Sequence, residues 1–315
     1  MMDTGASTVA MAVELTEESR PYRAATTHPI EELRDAAGRS VLHKDLNPER
    51  LTAAARLARP NWINDPMREI LVYQRLLVGA PAGPPKLIAA GTGRGTEHGG
   101  GPAAEGWWIR LEHVDGMPLT EVGDLDRWLD AARWIGRFHA WTDTLDHVPD
   151  VHPVRWTRGA LAGVYCDAVA VAPNGSMAPI LSHGARADEL VDLLCSEPSG
   201  VIHGELTASN VVIPTNPDRP VCVVDWELCG TGPRLLDLAS LVVGWPDDTV
   251  EQFLDVYVTA AGRHGDDDPR RQLDAARLHL ALRWLAAEGR GWRSPIEHRT
   301  DWAAEARGSA DRLGW

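Results

Sequence analysis

The sequence predicts an α+β protein whose strands come early and whose remainder is largely helical. Three observations predict it. Two short runs early in the chain, Arg39–Lys44 with Val41-Leu42 at its centre and the aromatic and aliphatic Trp107–Leu111, read as strands. Apolar stripes at helical spacing dominate from Leu125 onward. Between those helices lies Val201–Asp237, where Val201-Ile202, Val211-Val212-Ile213 and Val221–Val224 read as short buried strands bounded by turn residues.

Residues 1–20 show little periodicity, and the first ten read as frayed. Met1–Ala12 is weakly apolar without a basic start, so no signal peptide is expected. Glu31–Ala37 reads as a short helix or turn before the Arg39–Lys44 strand. Asp65-Pro66 opens a helix, because Asp caps well and Pro suits the first helical position. Met67, Ile70, Leu71, Gln74 and Leu77 then share a face, and Glu69 sits where it complements the helix dipole. The glycine-rich run Gly91–Gly106 is followed by a strand and not by a helix N-terminus, so it reads as a hairpin loop and not a phosphate loop.

Leu125–Leu145 carries the stripe Leu125, Trp128, Leu129, Ala132, Ile135 and His139. A histidine on such a stripe reads as a hydrogen-bonded core residue before it reads as a catalytic base. Asp146–Ala187 is irregular and carries Trp156, Arg158, Tyr165 and Asp167, none of which declares a chemistry. Two further stripes follow, Val250, Phe253, Leu254, Tyr257, Val258 and Ala261, then Leu273, Ala276, Leu280, Trp284 and Ala287. Trp292, Trp302 and Trp315 in the tail read as core.

The 315 residues suffice for one large domain or two lobes. A net charge of −14 argues against nucleic acid as a partner and is compatible with a cationic substrate; it also simply favours solubility. No apolar run is long enough to span a bilayer, so no membrane partner is expected. The four cysteines, Cys166, Cys195, Cys222 and Cys229, lack metal-ligand spacing and imply no disulfide framework, which fits a cytoplasmic protein. Lysine occurs only at positions 44 and 86, so a flexible point charge kept as Lys at the end of a strand stands out.

The central stretch carries the chemistry. His203-Gly204-Glu205 is followed by Asn210 (210 − 205 = 5), and Val224-Asp225-Trp226-Glu227 places Asp225 fifteen residues past Asn210 (225 − 210 = 15). With Asp237-Leu238-Ala239 beyond, this pattern resembles the signature of the aminoglycoside phosphotransferase/choline kinase family, relatives of the protein kinases. The departure is Glu205, where the family usually has Asp. The extra methylene moves the carboxylate by about 1.5 Å. The resemblance covers about Leu42–Leu241 and is firmest over Val201–Ala239.

The resemblance implies a two-lobed protein-kinase-like fold. Residues 1–111 would form a small antiparallel-sheet nucleotide-binding lobe with one helix, 112–118 a hinge, and 119–315 a mostly helical catalytic and acceptor-binding lobe. It implies an ATP-dependent O-phosphotransferase, using ATP or GTP with Mg2+, acting on a hydroxyl of a small molecule such as an antibiotic, sugar or amino alcohol. Glu205 would accept the acceptor proton or orient the hydroxyl, and Asn210 and Asp225 would ligate the metal. Lys44, held by Glu69, would orient the phosphates. Backbone groups of Glu112 and Val114 would meet the adenine edge. His203 and Asp237 would support the catalytic loop, and the 146–187 insertion would shape the acceptor site. A second reading of the tail tryptophans has some of them wall an acceptor pocket. Two alternatives stand beside this one: a kinase acting on Ser/Thr of a peptide in a natural-product pathway, and a nucleotide-binding pseudokinase that acts through a partner protein.

Overall fold

The computed structural model describes residues 15–21, 27–35, 37–58, 63–81, 83–92, 106–171, 184–196, 199–263, 268–292 and 300–315. The chain forms two compact units, residues 1–52 with 86–113 and residues 53–85 with 114–315. Segment 53–85, which a linear division at residue 111 assigns to the first lobe, therefore groups with the second unit.

The first unit is built on one antiparallel sheet of β1 (Leu15–Pro21), β2 (Ile30–Asp35), β3 (Ser40–Asp45), β4 (Leu87–Gly91) and β5 (Trp108–Glu112), in the order β1-β2-β3-β5-β4. Glu31–Ala37 is thus not a helix; most of it is β2 and the start of a hairpin turn. Asp35 decides this. Its Oδ1 accepts from the N–H of Ala37 at 2.9 Å and of Arg39 at 2.8 Å, and its Oδ2 accepts from Arg39 Nε at 2.7 Å. Gly38 supplies the positive φ of +75° that the turn needs. The Arg39 N–H, foremost among these groups, holds the Asp35 carboxyl below its ordinary range. β1 lies where the sequence shows little periodicity. Its register against β2 shifts between Thr16 and Arg20. β4 and β5 pair with Gly91 opposite Trp108. Residues 93–105 of the glycine-rich run between them lie outside the described residues.

The second unit begins with α1 (Ala53–Ala58) and α2 (Pro66–Leu71). Asp65 caps α2 by accepting from Met67 N–H at 2.9 Å, and Pro66 is its first residue. α2 runs on into a π-turn over Val72–Leu76. Two small sheets follow. One is β10 (Cys222–Val223), β9 (Val211–Pro214) and β6 (Gly116–Pro118). The other is β7 (Val154–Arg155), β11 (Gly230–Gly232) and β8 (Gly200–Ile202), in which β7 and β11 run parallel.

Around these strands pack α3 (Leu125–Asp143), α4 (Arg158–Val171), α5 (Gly184–Leu194), α6 (Leu235–Leu241), α7 (Asp247–Ala260), α8 (Pro269–Gly289) and α9 (Trp302–Leu313). α8 is buried without interruption from Gln272 to Leu282, because α4, α6 and α9 all pack against it. The charges this would strand are paired. Arg277 donates to Glu305 at 2.7 Å and Asp247 at 3.0 Å, and Arg312 reaches Asp274 at 2.7 Å. All four cysteines are free thiols, and burial pushes Cys229 up to about 12. Among the described residues, no helix is long and apolar enough to cross a membrane.

Candidate functional site

The loop after β8 is fixed by a buried carboxylate on α6. Asp237 has no solvent exposure. Its Oδ2 accepts from His203 N–H at 2.7 Å and its Oδ1 from Gly204 N–H at 2.9 Å. His139 Nε2 lies 3.2 Å from Oδ2, and His139 Nδ1 lies 2.9 Å from the Tyr257 hydroxyl. His139 is therefore a fully engaged core histidine. The Glu205 N–H points to His203 Nδ1 at 3.4 Å, which assigns the ring proton to Nε2 and lets Nε2 donate to Val224 O at 3.0 Å. Gly204 has φ +85°, and a Cβ there would stand 2.2 Å from Leu228 O. Both facts demand glycine at this position.

Glu205 and Asn210 are joined within the loop, since Asn210 Nδ2 donates to Glu205 O at 2.9 Å. The Val224 N–H donates to Asn210 O at 3.0 Å, tying the loop to the residue just before Asp225. Asp225 follows β10 in a left-handed conformation, φ 66° and ψ 63°. For a residue with a side chain this costs roughly 1–3 kcal/mol, and such strain collects at functional sites. Trp226 anchors the turn. It is fully buried, packs on His203 with centroids 4.6 Å apart, and donates from Nε1 to Val223 O at 3.2 Å.

Glu69 lies in the same place. Its Oε1 accepts from Trp226 N–H at 3.3 Å. Carboxylate oxygens of Glu69, Asp225 and Glu227 lie within 4.8 Å of one another. Such a convergence of hard oxygen donors suits a divalent cation. Arg68 holds the far side of the turn by donating to Glu227 O at 2.8 Å, Ile63 O at 2.6 Å and His152 O at 2.7 Å. Tyr73, on the π-turn, is buried; burial, then the Glu69 charge, pushes its hydroxyl well above its ordinary range.

In the first unit, Lys44 is buried on β3, opposite Ile30 on β2 and Ile109 on β5. Glu112 ends β5. Its N–H donates to Lys86 O at 2.9 Å and its Oε2 accepts from Lys86 N–H at 3.0 Å. Val114 is half-buried in the segment that follows β5.

A second group of side chains gathers around Glu205. Arg283 of α8 places Nη2 at 3.7 Å from Glu205 Oε1, with side chains only 11% and 14% exposed. The Arg283 guanidinium lies 5.7 Å from the ring centre of Trp156 and 5.6 Å from that of Trp284. One turn earlier on α8, His279 meets Trp156 edge-on at 5.9 Å. Burial, then the Arg283 charge, lowers its pKa to about 3.

Residues 7–279 match the phosphotransferase enzyme family. The chain belongs to that family. No curated protein matches it. Among solved structures it is similar to the GDP complex of an aminoglycoside 2′-phosphotransferase-IIIa, with 11% identity, TM-score 0.62, and coverage of 96% of this chain and 93% of that one. It is also similar to a putative aminoglycoside phosphotransferase from Ralstonia eutropha JMP134, with 17% identity, TM-score 0.60, and coverage of 98% and 93%. A macrolide 2′-phosphotransferase from Brachybacterium faecium gives 17% identity, TM-score 0.60, and coverage of 96% and 94%. At such identities the likeness is one of fold, the kinase-like α+β arrangement of an N-terminal antiparallel sheet followed by a mostly helical part.

Two features of this phosphotransferase escape sequence reasoning. Glu227 stands inside the quoted motif, yet only the turn after Asp225 shows its carboxylate converging with those of Asp225 and Glu69. Arg283 carries no local signal, because its partner lies 78 positions earlier (283 − 205 = 78).

Proposed function

We propose that this member of the phosphotransferase family moves the γ-phosphoryl group of ATP, or of GTP, to a hydroxyl of a small molecule. The observation that carries the reading is the joining of Glu205, Asn210 and Asp225 through the loop. Asn210 spends its amide nitrogen on Glu205 O, so its side-chain oxygen is the atom left to ligate, and its backbone oxygen binds the residue before Asp225. The converging carboxylates of Glu69, Asp225 and Glu227 fit Mg2+, a hard cation served by oxygen, and Asn210 would add its side-chain oxygen. When bound, that ion neutralises charge on the nucleotide phosphates.

In this reading the bond from the β-γ bridging oxygen to the γ-phosphorus breaks as the acceptor oxygen bonds to that phosphorus. Glu205 takes the hydroxyl proton, and the nucleoside diphosphate leaves. Lys44 orients the phosphates, and backbone groups of Glu112 and Val114 meet the base. The Asp237 clamp on two successive N–H groups fixes the loop against displacement, where misplacement by about 1 Å can cost on the order of a hundredfold in rate. Relatives support nucleotide use: one is solved with GDP, and the amicoumacin kinase hAmiN (15% identity, TM-score 0.57, coverage 94% and 88%) with AMP-PNP, Ca2+ and Ami.

The test is Mg2+-dependent binding and hydrolysis of ATP by the wild type beside Asp225→Ala and Glu205→Gln. Binding and hydrolysis in the wild type, with hydrolysis lost in both variants, is expected. Nucleotide binding without hydrolysis would make the chain a pseudokinase. No nucleotide binding under any condition would refute the function.

A further inference from the structure

The acceptor has chemistry of its own, and the surroundings of Glu205 constrain it. The chain's net charge of −14 leans toward a cationic acceptor. At the proposed catalytic carboxylate the charge is locally opposed, because Arg283 pairs with Glu205 while largely shielded from solvent. That cation is held in place. Trp156, just after β7, and Trp284 offer it two indole rings, and Trp284 in turn packs on Trp292 at 4.5 Å and Trp302 at 5.7 Å. Beside them His279 is 2% exposed, and neither of its ring nitrogens has a hydrogen-bond partner among the described residues. A buried imidazole with both nitrogens open in this way has donor and acceptor capacity to offer a ligand.

Resting on the phosphotransferase reading, we infer that Trp156, His279, Arg283 and Trp284 form the acceptor subsite, and that the acceptor is a hydroxyl compound bearing an oxyanion, a carboxylate or phosphate, and not a polycation. The planar guanidinium suits an oxyanion, which it can engage with two parallel N–H donors. A polycation would bring a second positive charge to the Arg283 guanidinium and compete with it for the Glu205 carboxylate that it already faces at 3.7 Å. Trp284, only partly buried, offers the apolar body of the acceptor a surface to lie against, while Trp156, 5% exposed, backs the guanidinium. The neutral imidazole, able to donate from one nitrogen and accept at the other, offers its hydroxyls a partner.

The test is equilibrium binding to the full chain, with and without Mg·AMP-PNP, of gluconate as hydroxy carboxylate, glycerol 3-phosphate as hydroxy phosphate, and kanamycin as polycation. Wild type, Arg283→Gln and Arg283→Lys are compared. At least one anion is expected to bind the wild type and to weaken about tenfold or more in Arg283→Gln, with partial recovery in Arg283→Lys. Its wild-type affinity should also fall as salt rises. Kanamycin is expected not to bind the wild type. Binding of neither anion, anion binding indifferent to Arg283→Gln, or kanamycin binding tighter than both would overturn the inference. AMP-PNP binding separates the two claims. Its absence from the wild type refutes the phosphotransferase reading, while the nucleotide-free anion titrations still decide the subsite. If Arg283→Gln fails to fold, the Arg283→Lys comparison and the salt dependence of the wild type decide instead.

Discussion

Replacing His279 by leucine should flatten the acid side of the stability profile. His279 is buried on α8 without a hydrogen-bond partner among the described residues, and its pKa falls from 6.5 to about 3. In the unfolded chain the imidazole returns to about 6.5. The folded pKa is the lower one, so below pH 6.5 the unfolded state binds the extra proton. Stability is therefore present above that pH and is lost as pH falls toward about 3. Integrating the proton uptake from pH 7 to pH 5 gives a loss of about 2 kcal/mol from this one residue. The figure depends almost wholly on the unfolded value, because any folded pKa below roughly 4 leaves His279 neutral throughout that range. At neutral pH the leucine variant should be as stable as the wild type or more so, since it removes buried polar atoms that have no partner. The assay is urea unfolding from pH 7.5 to 5, followed through tryptophan fluorescence. Equal loss of stability in both proteins between pH 7 and 5 would refute the reasoning.

Other substitutions probe the frame of the site. Asp237→Ala strands the buried His203 N–H, the part-buried Gly204 N–H and His139, and should cost about 3–5 kcal/mol in urea unfolding; a loss under 1 kcal/mol would show that the clamp is not structural. Gly204→Ala forces a Cβ against Leu228 O at a positive φ, so it should cost about 2 kcal/mol or more and depress ATP turnover on the order of a hundredfold, measured by ADP release. Arg277→Ala leaves Glu305 and Asp247 without their shared cation, and calorimetry should show a fall in Tm of several degrees.

Much of the fold was legible because its helices obey simple periodicity. The stripes through Ile135, Phe253 and Leu273 each mark a buried face. β2 was not legible as strand, although β3 beside it was, because Glu31, Glu32 and Leu33 are ordinary helix formers and the deciding bonds come from Asp35 reaching forward to Ala37 and Arg39. β1 had no pattern to find; its pairing with β2 defines it.

The site divides in the same way. Glu205, Asn210 and Asp225 share one motif because a loop and the strand end beside it must hold fixed spacing, and the bond from Val224 N–H to Asn210 O shows why. Glu69 is 156 positions from Asp225 (225 − 69 = 156), and only folding shows its oxygen against the Trp226 N–H. Arg283 is the sharper case. The motif alone makes Glu205 an ill-fitting aspartate, longer by a methylene. The structure puts a cation, flanked by two indoles, next to that longer side chain. A carboxylate that faces an arginine at 3.7 Å in a largely shielded place is drawn toward one position, so it is less free to wander than its length suggests. The residue that departs from the family pattern and the residue with no local signal thus belong to one arrangement, and exchanging Glu205 for aspartate should weaken the Arg283 pair rather than restore a familiar site.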